Sequence, residues 1–183
     1  MNKILKTIAL TILLCYTANA QITKGNWMVG GSGNFSSTVA ESKSSNFPTS
    51  ESKGMSVNLS PTFGYFVADK LALGVSPVFG YSKIDGANNN TSYGAGPFIR
   101  YYLLKPEKLI NILTHISYYY GSSGTSTSNN INFKTGPAIF LNSSVALELT
   151  LEYAIGQNKS DFSTSTFKVF NVGLGLQIHL EKE

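Results

Sequence analysis

The chain has 183 residues, with 14 Lys+Arg against 10 Asp+Glu, one Cys and 12% aromatics. Charged residues are 13% of it, about half the ~25% of an ordinary soluble domain, while a 42% hydrophobic content excludes a disordered polyelectrolyte. One cysteine excludes a disulfide framework or a paired-thiolate zinc site, and a scattered net charge of +4 excludes a nucleic-acid footprint.

Residues 1–20 are expected to be a cleaved secretory signal. Lys3 and Lys6 precede an apolar run over 7–16, and Ala18-Asn19-Ala20 is an A-x-A cleavage pattern. The run is too short to span ~30 Å of hydrocarbon. Cys15 falls inside it and follows Leu13 and Leu14, where a lipoprotein site needs small residues. The mature domain, 21–183, then has no thiol and carries 12 basic and 10 acidic side chains.

Beyond Gln21 the chain alternates with period two. Trp27, Val29, Gly31, Gly33 and Phe35 interleave with Asn26, Met28, Gly30, Ser32 and Asn34; Met55, Val57, Leu59, Pro61, Phe63 and Tyr65 do the same with Ser56, Asn58, Ser60, Thr62 and Gly64. The pattern returns at 71–81, 92–103, 109–120, 131–141, 145–156 and 167–180, which makes eight strands. Between them, 36–52, 82–91, 121–130 and 156–165 are long, rich in Ser, Asn and Thr, and read as loops, whereas 67–70, 104–108 and 142–144 are short. The fold class is therefore all-β: an eight-stranded antiparallel up-and-down barrel.

The polar face decides the solvent. It carries Gly64, Gly74, Gly80, Gly94, Gly96, Gly136, Gly173 and Gly175, with Ser, Asn and Thr, in place of the Lys and Glu of a water-facing exterior. Small residues suit the crowded inside of a narrow barrel. The Leu, Val, Ile and Phe face must then point outward into lipid, so the barrel is transmembrane; eleven residues at ~3.3 Å and ~45° tilt cover roughly 25 Å. Pro61, Pro77, Pro97 and Pro137 sit mid-strand on the outward side, where bulges are expected.

Two segments carry a family resemblance. Ser60-Pro-Thr-Phe-Gly-Tyr-Phe-Val-Ala-Asp-Lys-Leu-Ala-Leu-Gly74 resembles the second hairpin of small outer-membrane β-barrels of the OmpA/OmpX type, and Gly96-Pro-Phe-Ile-Arg-Tyr-Tyr102 resembles the strand that follows. The resemblance implies an eight-stranded barrel in a Gram-negative outer membrane, with no catalytic site and no cofactor. Its partners would be outer-membrane lipid, lipopolysaccharide and the barrel-assembly machinery. That machinery reads a terminal aromatic, where this chain has Leu180 followed by Glu181-Lys-Glu183.

The search for chemistry is short. His115-Ile-Ser117 could serve a lipid A deacylase-like enzyme, with Ser117 as nucleophile, His115 as base and Glu148 or Glu152 behind it. Tyr118 stands where that enzyme has Asn, and the strand phase turns His115 inward, away from lipid. His179 has no second His at ligand spacing. The Gly30-Gly-Ser-Gly33 run lacks the lysine and the helix of a phosphate loop. The N-x-S/T tripeptides at Asn34, Asn58, Asn90, Asn142 and Asn158 carry no meaning in a bacterial outer membrane. A soluble lipocalin-like binder would need an apolar lumen and a charged exterior, the reverse of this pattern.

The expected function is structural or surface-interacting, by a monomer whose four polar loops meet an unknown ligand. Aromatics should ring both interfaces: Phe35, Phe79, Tyr81, Tyr93, Tyr118, Tyr120, Phe133, Tyr153 and Phe170 at the loop end, and Trp27, Tyr65 and Tyr101 at the turn end. In the lumen, the expected pairs are Arg100–Glu148 and Lys134–Glu152, bridged by His115 and Tyr102, because a lone charge removed from water costs several kcal/mol.

Overall fold

The computed structural model describes residues 22–44, 47–86 and 88–181, so the proposed signal at 1–20 lies outside them. Eight strands follow one another: β1 Trp27–Ser44, β2 Phe47–Ala68, β3 Leu71–Ile84, β4 Asn90–Tyr102, β5 Ile110–Ser123, β6 Ser126–Phe140, β7 Val145–Lys159 and β8 Thr164–Leu180. Each pairs antiparallel with its chain neighbour, and β1 pairs with β8 to close the barrel.

The alternation sets the two faces as the residue types demand. Along β4, Phe98, Arg100 and Tyr102 are buried while Tyr93, Pro97, Ile99 and Tyr101 are exposed. Exposed apolar side chains continue round the whole outer wall, including Phe63, Leu73, Val75, Ile116, Leu149, Leu151 and Leu174. No water-soluble barrel presents such an exterior.

Two expectations need correction. The Ser/Asn/Thr-rich segments at 36–52, 82–91, 121–130 and 156–165 are largely strand. β1 pairs with β2 up to Ser44↔Phe47, and β5 with β6 up to Ser123↔Ser126, where Gly124 turns the chain at φ 58°. A ribbon standing clear of the membrane has water on both faces, so its alternation disappears while its ladder persists; polarity alone then mimics a loop. The expected bulges at the prolines are also absent. Pairing of β2 with β3 is interrupted between Leu59↔Phe79 and Phe63↔Val75, but the register is the same on both sides. Pro61 and Pro77 stand opposite each other in that gap, so the missing donors cost rungs without shifting a strand. Pro97 and Pro137 fall in similar gaps of β4–β5 and β6–β7. The register shifts lie elsewhere, at Ser42/Ser44 and Phe66/Ala68.

The closing seam is short. β1 and β8 share five pairs, from Trp27↔Leu180 to Gly31↔Leu176, although both strands run on well beyond them. Gly31 has φ 147°, a conformation that L side chains rarely adopt, and it is the residue at which β1 leaves β8.

Candidate functional site in the barrel lumen

The site begins with a floor. At the turn end Met28, Phe66, Tyr102, Leu113 and Phe140 point inward with no exposed surface. The rings of Phe66, Tyr102 and Phe140 lie around His179, with centroids 5.8, 5.9 and 5.5 Å from the imidazole. Tyr102 Oη lies 3.2 Å from His179 Nε2. Residues before β1 seal the floor from below. Ile22 is fully buried and its carbonyl accepts from Lys70 N at 2.7 Å, while Gly25 N donates to Phe66 O at 2.9 Å.

A charged layer rests on the floor. Arg100 Nη1 is 2.7 Å from Glu148 Oε1, with both side chains almost fully buried. The same nitrogen donates to Gln177 Oε1 at 3.0 Å, and Arg100 Nε donates to His115 Nδ1 at 3.2 Å. Tyr102 Oη lies 3.5 Å from both Arg100 Nη1 and Glu148 Oε1, so it touches both members of the pair. Buried charges of this kind persist only when paired and hydrogen-bonded.

Register explains why these residues meet. Arg100 faces His115 across β4–β5, His115 faces Lys134 across β5–β6, and Lys134 faces Glu152 across β6–β7. Lys134 Nζ lies 3.0 Å from Glu152 Oε1, and both side chains retain partial exposure. Thr150 Oγ1 donates to Glu152 Oε1 at 2.9 Å. His115 is buried, and its ring stacks on Phe98 with centroids 4.8 Å apart. Ser117 is the next inward residue up β5, in register with Asn132. His115 Nδ1 thus faces a guanidinium at the position where a hydrolytic triad places a carboxylate.

Glycines make room for the larger inward side chains. Gly64 and Gly74 pair across β2–β3, and Phe98 lies over them; a Cβ on Gly74 would come within 2.5 Å of Phe98 Cζ and 2.7 Å of Gly64 Cα. Above the charged layer the lumen is a cavity of about 330 Å³, walled by residues such as Ser60, Thr62, Ser76, Asn130, Asn132 and Ser117.

The expected girdle residues sit on the outer wall. Trp27 packs edge-on against Tyr65 at 5.1 Å, and Tyr101 lies next to the turn end of β4. Phe79 is in register with Tyr93, and Phe133 with Tyr153, which is in register with Phe170. With Phe35, Tyr81, Tyr118 and Tyr120, these rings lie from the middle of their strands toward the hairpin end, Phe35 and Phe133 at mid-strand.

Of the aromatic floor only Tyr102 was expected inside; Phe66 and Phe140 were missed from sequence, although they too share the inward parity of the glycines. An interior assumed to be small and polar throughout hid them.

This architecture is similar to that in the crystal structure of the outer membrane protein OprG from Pseudomonas aeruginosa, with a TM-score of 0.53 and 13% sequence identity, over 89% of this chain and 100% of that one. The fold is that of a small outer-membrane β-barrel. A second likeness, to the solid-state NMR structure of the outer membrane protein AlkL in DMPC lipid bilayers, has a TM-score of 0.35 and 11% identity over 86% of this chain and 90% of that one. No protein-family model and no curated protein matches the sequence. Within this outer-membrane β-barrel, the segment from Ser60 to Gly74 forms the β2–β3 hairpin, turning at Lys70 with φ 66°, and the segment from Gly96 to Tyr102 ends β4.

Proposed function

We propose that the chain is an integral outer-membrane protein, neither a pore nor an enzyme, that acts as a surface structure through its four hairpins. The observation that carries this reading is the closed floor, where Phe66, Tyr102, Phe140 and His179 fill the lumen beneath the Arg100–Glu148 pair. An eight-stranded barrel is only wide enough for side chains, so a filled layer leaves no aqueous path. The guanidinium on His115 argues in the same direction against the deacylase-like alternative, since it occupies the place of the carboxylate that orients the base of a hydrolytic triad.

In this reading the hairpins point out of the cell, the turns lie on the periplasmic side after export by the signal at 1–20, and the protein is a monomer bathed in lipid and lipopolysaccharide. The narrower OmpA/OmpX likeness rests on the two motifs alone. Planar-bilayer recording tests the closed lumen: the purified protein should leave the membrane at baseline conductance, and stable ohmic steps would refute the reading. Orientation is tested on intact cells with Thr125→Cys, next to Gly124 at the tip of the β5–β6 ribbon. A membrane-impermeant maleimide should label it, and labelling only after lysis would reverse the topology.

A further inference from the structure

The upper lumen holds an aromatic ring that the barrel does not cover. Tyr119 is on the inward face of β5, near the hairpin end, and borders the lumen cavity. Gly94 of β4 and Gly121 of β5 stand opposite each other in register, so the wall there has no side chains, and Tyr119 packs against that bare patch. A Cβ on Gly94 would come within 2.5 Å of Tyr119 Cε2, and one on Gly121 within 2.5 Å of Cζ. The same device recurs lower down, where Phe98 lies over Gly64 and Gly74. There the other side of the ring is closed, because His115 stacks on it. Among the described residues no second ring stacks on Tyr119. Its remaining surface faces the cavity.

What surrounds the ring is polar and without net charge. Asn130 is in register with Tyr119 across β5–β6. Asn132, the next inward residue down β6, has an Oδ1 with no hydrogen-bond partner in the protein, an acceptor that a small turn of the amide brings to a ligand. Ser76, Ser92 and Ser117 add hydroxyls to the same cavity. At its base Arg100 is held by Glu148 and Lys134 by Glu152, so the charges cancel and select neither an anion nor a cation. Hydroxyl and amide groups offer both donors and acceptors, and their complement is a ligand that does the same at several points. The mouth is at the hairpin end, where Asn58 lines the cavity and is exposed. A volume of about 330 Å³ is near the lower limit of small-molecule pockets, at about 300 Å³, and holds one ring.

We propose that this vestibule is a binding cup for one neutral pyranose, a hexose unit seated with a C–H face on the Tyr119 ring and its hydroxyl rim on Asn130, Asn132 and Ser117. A pyranose has both surfaces that the cup asks for. Its C–H groups pack on the negative face of an aromatic ring, and its hydroxyls donate and accept round the edge. A free hexose and the end of a glycan present the same ring. The cup is independent of what the hairpins bind.

The test is saturation-transfer NMR on the full protein in detergent micelles, with glucose, galactose and mannose as probes. At least one hexose should receive saturable transfer from the protein, strongest at the C–H protons of one face. Sorbitol, which has the hydroxyls but no ring, should bind about tenfold more weakly. Serine, a zwitterion, and glucuronate, an anion, should not displace the sugar. The methyl glycoside of the binding hexose stands for a glycan end: affinity equal to the free sugar's points to a glycan, and weaker affinity to the free sugar. Tyr119→Phe keeps the ring and should hold the dissociation constant within about threefold, whereas Tyr119→Ala should raise it about tenfold, the value of one aromatic contact. Ser117→Leu fills the cup beneath the ring; it should fold, judged by heat-modifiable gel mobility, and lose the transfer. No saturable transfer from any of the three hexoses would overturn the proposal. So would sorbitol or serine binding as tightly as the sugar, or undiminished binding in a folded Ser117→Leu or Tyr119→Ala variant.

Discussion

The turn end and the hairpin end of the lumen share one alternation and one inward phase, yet they do opposite things. At the turn end the inward residues are Met28, Phe66, Tyr102, Leu113 and Phe140, and they meet in the middle with no surface left exposed. At the hairpin end they are mostly Ser, Thr, Asn and Gly, and a cavity of about 330 Å³ remains. In a barrel of fixed strand number the wall stays the same, so inward side-chain volume alone decides between a plug and a vestibule. The Arg100–Glu148 pair marks the change from one regime to the other.

The contrast can be broken from the bottom upward, with stability read as urea unfolding of the protein in detergent micelles or vesicles. Glu148→Ala leaves Arg100 charged and almost fully buried, and should cost about 3–5 kcal/mol. Phe140→Ala opens a hole in the floor and should cost on the order of 3 kcal/mol; a loss below about 1 kcal/mol would mean that the floor is not packed. Gly74→Ala places a methyl against Phe98 and the backbone of Gly64, so overpacking should cost about 1–3 kcal/mol. At the wet end the same operations should fall away. Lys134→Met removes a pair that retains partial exposure, and its loss should stay below about 1 kcal/mol. Two residues inserted after Gly124, at the tip of the β5–β6 ribbon, should change stability by no more than about 0.5 kcal/mol. If Lys134→Met were as damaging as Glu148→Ala, the two ends would not differ.

The strand number, the up-and-down order and the inward phase were all legible in the sequence, because a two-sided wall writes its period directly into residue type. Arg100 and Glu148 could be brought to one height, with Lys134 and Glu152 further up, because adjacent strands run antiparallel and their offsets follow from counting residues from each turn. What was illegible has three physical causes. Ribbon residues such as Ser37, Thr38 and Ser165 lie where both faces are wet, and alternation has nothing to sort there. The prolines were expected to bend their strands. Pro61 and Pro77 instead share one gap, and a symmetric loss of donors leaves the register intact. Nor did composition signal the aromatic floor, which depends on where along each strand the large inward residues fall.

The five-pair seam has a consequence for the order in which the barrel assembles. Every other interface joins strands that are neighbours in the chain, so each can form as a local hairpin with little loop-closure entropy to overcome. Trp27 and Leu180 meet only after about 150 residues of chain have been gathered, which makes closure the least local contact in the molecule. That most expensive contact is secured by the fewest rungs. The β1–β8 junction is therefore where the folded barrel opens first, and the amides of residues 27–31 should exchange with solvent deuterium by a local route, well before those of β6 and β7.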